Sequence, residues 1–159
     1  MNILAIDPGT YCGWAVLHYG ALSSGVQVFV TSRGSSPGLR FLKFNTWFRE
    51  MLQTFSPKLV VYEQAHFRGG YATELLVGFT TRIMENCAAG GIEYAAVHTG
   101  KLKKWAVGSG RAEKQVLIDR ISARIGTRIT DEHEADALWL LLYGQEFYSR
   151  ARARPKEVK

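Results

Sequence analysis

Apolar positions along the chain change period several times, and each change marks an element. Asn2–Asp7 (NILAID) is a short apolar run closed by Pro8-Gly9-Thr10, the length and punctuation of a strand. Gly13–His18 (GWAVLH) and Gly25–Thr31 (GVQVFVT) follow at short spacing, with Tyr19-Gly20 and Ser23-Ser24 between them, which predicts an antiparallel meander. Beyond the polar loop Arg33–Pro37, apolar residues including Leu42, Trp47, Met51 and Leu52 predict a helix over Leu39–Phe55, stopped by Ser56-Pro57. Lys58–Tyr62 (KLVVY) is apolar at consecutive positions, the pattern of a strand covered on both faces, and it ends at Glu63. A helix is expected over Tyr71–Ala89, ended by Gly90-Gly91, and then a strand over Ile92–Val97 (IEYAAV). The stretch 101–114 contains the loop Gly108-Ser109-Gly110, and a helix is expected from about Ala112 to Ile125. A last helix over Asp131–Phe147 has Thr130 as its expected cap. Three strands, helix, strand, helix, strand and then helices predict an α/β layer fold, its first strands an antiparallel ribbon and its later ones returning by right-handed crossovers.

Composition sharpens this in one respect. The 159 residues, 47% of them hydrophobic and 21% charged, suit one globular domain with a real core. Two cysteines, Cys12 and Cys87, have no CxxC or CxxH neighbour, so a reducing compartment is expected and a structural zinc site is not. Neither a membrane span nor a signal peptide is visible, which points to a cytoplasmic protein. The net charge of +6 is concentrated. Residues 101–114 hold Lys101, Lys103, Lys104, Arg111 and Lys114 against Glu113 alone, and residues 150–159 hold five basic residues against Glu157. The remainder of the chain is slightly acidic. Clustered charge of this kind suits a polyanion such as a nucleic-acid backbone better than a membrane anchor, because neither segment alternates with bulky apolar residues. A solubilising tail and one solvated helix are the ordinary alternative. The division expected is a domain over 1–149 and a basic tail over 150–159.

Three acidic residues resist a purely structural explanation. Asp7 closes one apolar strand and Glu63 another; if a crossover makes those strands parallel, both emerge at the carboxyl edge of the sheet, where α/β proteins bind ligands. Asp136 lies on the last helix beside Ala137 and Leu138, with Leu140 and Tyr143 on its own face, a costly place for a lone carboxylate unless a cation neutralises it. His133, three residues earlier, shares that face. Three oxygen donors and one imidazole suit Mg²⁺ or Mn²⁺ better than zinc. Taken singly, each has a plainer reading: Asp7 a turn residue, Glu63 a strand exit, His133 a cap or core histidine. Asp131, Glu132 and Glu134 are assigned to the helix dipole. Taken together, beside a placed basic surplus, Asp7, Glu63, His133 and Asp136 point to a metal site.

The start NILAIDPGTYCGWAV, the strand VVYEQ, the stretch KKWAVGSGRAEKQV and the helix HEADAL, in this order and spacing, resemble the RuvC family of Holliday-junction resolvases over nearly the whole chain. The resemblance implies an RNase H-like fold, with a mixed five-stranded sheet (three antiparallel strands, then two parallel) flanked by helices on both faces. It implies a homodimer that resolves four-way DNA junctions in recombination and repair by paired symmetric nicks. Two Mg²⁺ (or Mn²⁺) ions per site would assist, leaving 5′-phosphate and 3′-hydroxyl ends. Carried over by position, the catalytic acids are Asp7, Glu63 and Asp136, with His133 as a fourth ligand. Lys103 and Lys114 fall at positions of lysines that serve DNA binding and catalysis, Lys104 competing for the first. The family's aromatic three residues after the strand acid is His66 here, followed by Phe67 and Arg68. The DNA-contacting set is then Lys101, Lys103, Lys104, Arg111, Lys114, His66, Phe67 and Arg68. Compact size and the Arg-rich tail fit a bacteriophage-encoded member. Looser alternatives are a flap or fork nuclease, a relative acting on RNA–DNA hybrids, or a non-catalytic DNA-binding module; the last has no need of the three carboxylates together. An actin- or hexokinase-type ATPase is disfavoured by the missing second half and by a Gly108-Ser109-Gly110 loop without a GK[ST] end.

Overall fold

A computed structural model describes residues 1–67 and 69–148. Arg68 and the tail 150–159, both expected to meet DNA, lie outside the described residues. In chain order the elements are β1 (Ile3–Asp7), β2 (Tyr11–His18), β3 (Ala21–Val28), α1 (Gly38–Phe55), β4 (Leu59–Glu63), α2 (Gly70–Ala89), β5 (Glu93–Val97), α3 (Thr99–Val107), α4 (Lys114–Ile125) and α5 (Glu132–Phe147).

The five strands form one sheet in the order β3-β2-β1-β4-β5. β1 pairs antiparallel with β2 and β2 with β3, whereas β1–β4 and β4–β5 are parallel. Strand residues alternate between faces, so the apolar runs of β1 and β4 feed two separate cores. Ile3, Ala5, Leu59 and Val61 pack with α3, α4 and α5 on one face, and Leu4, Ile6, Val60 and Tyr62 pack with α1 and α2 on the other. Such two-sided burial explains why β1 and β4 read as unbroken apolar runs. The mixed sheet with helices on both faces is the layout the sequence predicts.

Two elements differ from expectation. β3 occupies Ala21–Val28 rather than Gly25–Thr31. Tyr19 and Gly20 both take positive φ (48° and 86°), a tight two-residue hairpin turn that fixes the pairing from His18↔Ala21 outward. Ser23 and Ser24, read as a turn signal, therefore lie within an edge strand. The basic stretch also holds a helix, in residues to which the sequence assigns no element: α3 starts at Thr99 and ends where Gly108 turns left-handed, φ 86°. Leu102, Trp105 and Ala106 carry its apolar face into the core, and α4 begins at Lys114, later than the expected Ala112.

α5 is the helix that builds the site. Eight of its residues, among them Leu138, Trp139, Leu140 and Tyr143, are buried, so it lies sunk against the sheet rather than across its surface. Two glycines permit that approach. A Cβ on Gly144 would come within 2.6 Å of Val61 Cγ2, and one on Gly13 within 1.8 Å of the His133 carbonyl oxygen. The cap is Asp131 rather than Thr130: its carboxylate accepts the backbone N–H groups of His133 (2.8 Å) and Glu134 (3.1 Å).

Candidate active site

Register dictates where the first two carboxylates go. Ile6 of β1 pairs with Tyr62 of β4, so the next residues, Asp7 and Glu63, leave the sheet side by side at its carboxyl edge. Both share the face of Ala5 and Val61, which is the face α5 covers. Gly13 is paired with Asp7 across the β1–β2 ladder, and the first turn of α5 rests on it. That contact sets His133 Nδ1 2.9 Å from Asp7 Oδ2. Asp136 follows one helical turn later.

Asp7, Glu63, His133 and Asp136 line a single pocket of about 340 Å³, together with Lys114, Glu132, His66 and the loop Pro8–Tyr11. The expected quartet, drawn from positions 7 to 136, thus shares one concavity. Each carboxylate has a companion: Asp7 has His133 Nδ1, and Glu63 Oε1 accepts the Thr99 hydroxyl. The charge of Lys103 is felt at Asp136. Tyr11 stacks on the His133 ring, centroids 6.3 Å apart and planes within 14°.

Electrostatically the cluster is unhappy in its own company. Burial raises the Asp7 carboxyl from 3.8 to about 7, the His133 hydrogen bond opposing and the charges of Glu63 and Asp136 adding to the rise. Asp136 is raised to about 6 by burial and then by Glu63, with Lys103 and His133 pulling the other way. His133 is raised chiefly by its bond to Asp7. Clustered carboxylates that resist joint ionisation are relieved by a bound cation. The donor set, oxygen-rich with one imidazole, fits a hard divalent ion. Among the described residues no three Asp, Glu, His or Cys side chains are gathered tightly enough to hold an ion as they stand; the bond that ties Asp7 to His133 has to open for one.

The cationic set divides. Lys114 bonds Glu132 at the pocket rim, which raises its ammonium pKa, and Lys103 with Lys114 flanks Asp136 in an adjoining cleft. Lys101, Lys104 and Arg111 are exposed on α3 and the loop after it. Position therefore favours Lys103 over Lys104 beside the acids. His66 is turned inward, its Nε2 on the Thr99 hydroxyl and 3.3 Å from Glu63 Oε1, while Phe67 is 80% exposed.

Several contributors escaped sequence reasoning. Glu132 was assigned to the helix dipole, yet it lines the pocket and holds Lys114. Of its neighbours, Asp131 is the cap and Glu134 accepts a hydrogen bond from Ser24 (2.7 Å). Gly13 left a signal, a glycine inside a strand marking close backbone approach; Thr99 left none.

No protein-family model matches the chain. The crossover junction endodeoxyribonuclease RuvC of Heliobacterium modesticaldum is 31% identical over 122 residues, 72% of this chain and 74% of its own length. That of Ruegeria pomeroyi is 26% identical over 164 residues, 100% of this chain and 99% of its own. Thermus thermophilus RuvC superposes with a TM-score of 0.75 at 25% identity, covering 96% of this chain and 97% of that one. A second structure of it, in complex with a Holliday junction substrate, gives 0.77 at 23% identity over 96% of each chain. The fold is accordingly an RNase H-like α/β fold.

Proposed function

The chain belongs to the RuvC family of crossover junction endodeoxyribonucleases, and we propose that it resolves four-way DNA junctions by paired nicks, with the pocket between Asp7, Glu63 and Asp136 as its active site. The observation that carries this reading is convergence: three carboxylates and His133, from three separate elements, line one pocket with Lys114 at its rim. A DNA-binding module without chemistry has no use for buried, mutually repelling acids.

Asp7, on the central strand and 9% exposed, would help to hold both of two divalent ions, with Glu63 as a further ligand of one and Asp136 with His133 of the other. Divalent ions in such a site lower the pKa of attacking water and neutralise charge on the scissile phosphate. Mg²⁺ is the ion we assign, with Mn²⁺ as substitute. The protein supplies the rest. Lys114, released from Glu132 as a phosphate enters, meets charge developing on the phosphoryl oxygens, and Lys103 balances Asp136. Exposed Lys101, Lys104 and Arg111 contact the backbone, and Phe67 presents the exposed ring beside the junction bases. Cleavage leaves 5′-phosphate and 3′-hydroxyl ends. A homodimer, whose two-fold axis matches that of a four-way junction, would nick opposite strands symmetrically.

The test is a labelled synthetic four-way junction set beside fork, linear duplex and RNA–DNA hybrid, each with and without Mg²⁺. Paired nicks at symmetric positions in the junction alone, only with Mg²⁺, are expected. Equal cutting of forks would make this a general branched-DNA nuclease, and binding without cutting under any divalent ion would refute the enzyme reading.

A further inference from the structure

Thr99 bonds a pocket acid without itself lining the pocket. Glu63 ends β4 in register with Val97 of β5, and the Gln64 N–H donates to the Val97 carbonyl (2.9 Å), so the ends of the two strands are locked together. Two residues beyond Val97, α3 begins, and its first residue lays the Thr99 hydroxyl on Glu63 Oε1. The helix itself does not need that hydroxyl. Capping is done by His98, whose Nδ1 accepts the Gly100 N–H at 3.1 Å.

Donor counting fixes the direction of the chain of bonds. An ionised carboxylate only accepts, so the single hydroxyl proton of Thr99 goes to Glu63. The Thr99 oxygen is then left to accept, and its remaining partner is His66 Nε2, which must carry a proton. His66 Nε2 also stands 3.3 Å from the same Glu63 oxygen. The ring of His98 packs edge-on against His66, centroids 5.6 Å apart at 87°, and holds it in this orientation. Both donors fall on Oε1, so Oε2 is the oxygen left for a cation in the pocket.

Resting on the metal-nuclease reading above, we propose that Thr99 is the positioning residue for Glu63, with His66 setting the direction of its hydroxyl, so that the carboxylate meets a divalent ion already aimed. A glutamate has three rotatable bonds, and an unheld one must be ordered by the ion itself. Partners that orient metal-ligating groups change metal affinity or activity by about 10–100-fold when removed. The arrangement also places His66 in the support of Glu63 and leaves Phe67 as the side chain free to meet bases.

The experiment uses the full chain with Thr99→Val, which keeps the shape and removes the hydroxyl, and Thr99→Ser, which restores it. Mn²⁺ alone is titrated calorimetrically into each protein, and junction affinity is measured without divalent ion. The expected result is Mn²⁺ binding weakened about tenfold or more in Thr99→Val, recovered in Thr99→Ser, with junction affinity and melting temperature unchanged. The Mg²⁺ concentration giving half-maximal cleavage should rise by the same factor. His66→Ala should move it in the same direction by less. Wild type that binds Mn²⁺ alongside a Thr99→Val protein that binds it equally well would overturn this inference alone. Wild type that binds no Mn²⁺ would overturn the metal reading and this inference with it. A Thr99→Ser protein as impaired as Thr99→Val would show that the methyl group, not the hydroxyl, matters, and would also overturn it.

Discussion

At Gly13 a hydrogen atom in place of a side chain decides where the last helix sits. A Cβ there would meet the His133 carbonyl oxygen at 1.8 Å and its carbon at 2.3 Å, and backbone cannot rotate away as a side chain can. Gly13→Ala is therefore expected to cost at least about 2 kcal/mol in denaturant unfolding and to displace His133 from Asp7, lowering cleavage in the fraction that stays folded. Asp7→Asn tests the other side of that contact. It is expected to abolish cleavage while leaving junction binding in a gel-shift assay nearly intact; near-wild-type cutting in Mg²⁺ would contradict the assignment of Asp7. Asp7, Glu63 and Asp136 were legible as acids in apolar surroundings, and His133 through its helical spacing. Glu132 and Thr99 were not, since what each does depends on a partner remote in sequence, and Gly13 showed only as a glycine inside a strand. Thr99 meets Glu63 across 36 positions and Gly13 meets the His133 carbonyl from a distant element; no local pattern names either partner.

Among the elements, α5 carries the largest share of the site and depends on its cap. Asp131 accepts from the backbone of His133 itself, so Asp131→Ala should cost about 1 kcal/mol of stability and loosen His133 at the same time. A drop in melting temperature accompanied by a raised Mg²⁺ requirement would show both effects. The α3–α4 region acts differently. Lys101, Lys104 and Arg111 are exposed and line neither the acid pocket nor the cleft beside it, so their replacement by Ala should weaken junction binding evenly across sequences. Each loss should reduce the slope of log affinity against log salt by about 1, with the position of the nicks unmoved. The sequence predicted the type of most elements because their apolar periods are regular. It misplaced β3 and overlooked α3 for identifiable reasons: a two-residue turn outranked a serine pair in setting register, and a dense run of lysines masked the helical spacing of Leu102, Trp105 and Ala106.

For the molecule as a whole, the pocket makes stability depend on pH. Asp7 (about 7) and Asp136 (about 6) both stand above their ordinary 3.8, and His133 stands above its ordinary 6.5. All three hold protons more firmly folded than unfolded. Above about pH 4 the unfolded chain releases carboxyl protons that the native state keeps, so the pocket's contribution to stability falls as pH rises towards about 7. His133 adds to the loss as pH climbs through its raised value. Unfolding free energies at pH 5, 6 and 7 in chelator should show this decline, and Asp136→Asn should show less of it. Millimolar Mg²⁺ is expected to flatten the curve, because an ion that favours the ionised carboxylates stabilises the native state most where they repel most. A pH dependence identical in wild type and Asp136→Asn would remove the basis for this account.

By itself, the sequence determined most of the strand and helix inventory, the covering of β4 on both faces, the clustering of basic charge and which acids stand in apolar surroundings, since each of these is written in local period, composition or an apolar run. Tertiary structure alone decided that β1 and β4 run parallel in a register that sets Asp7 beside Glu63. It decided that α5 descends onto Gly13 to bring His133 and Asp136 to them, and that Thr99 reaches Glu63 from the start of α3. The physical reason is one of range. Periodicity reports which face of an element is buried, whereas a site is made by the distances between elements, and those are fixed only when ladders are paired and side-chain volumes meet.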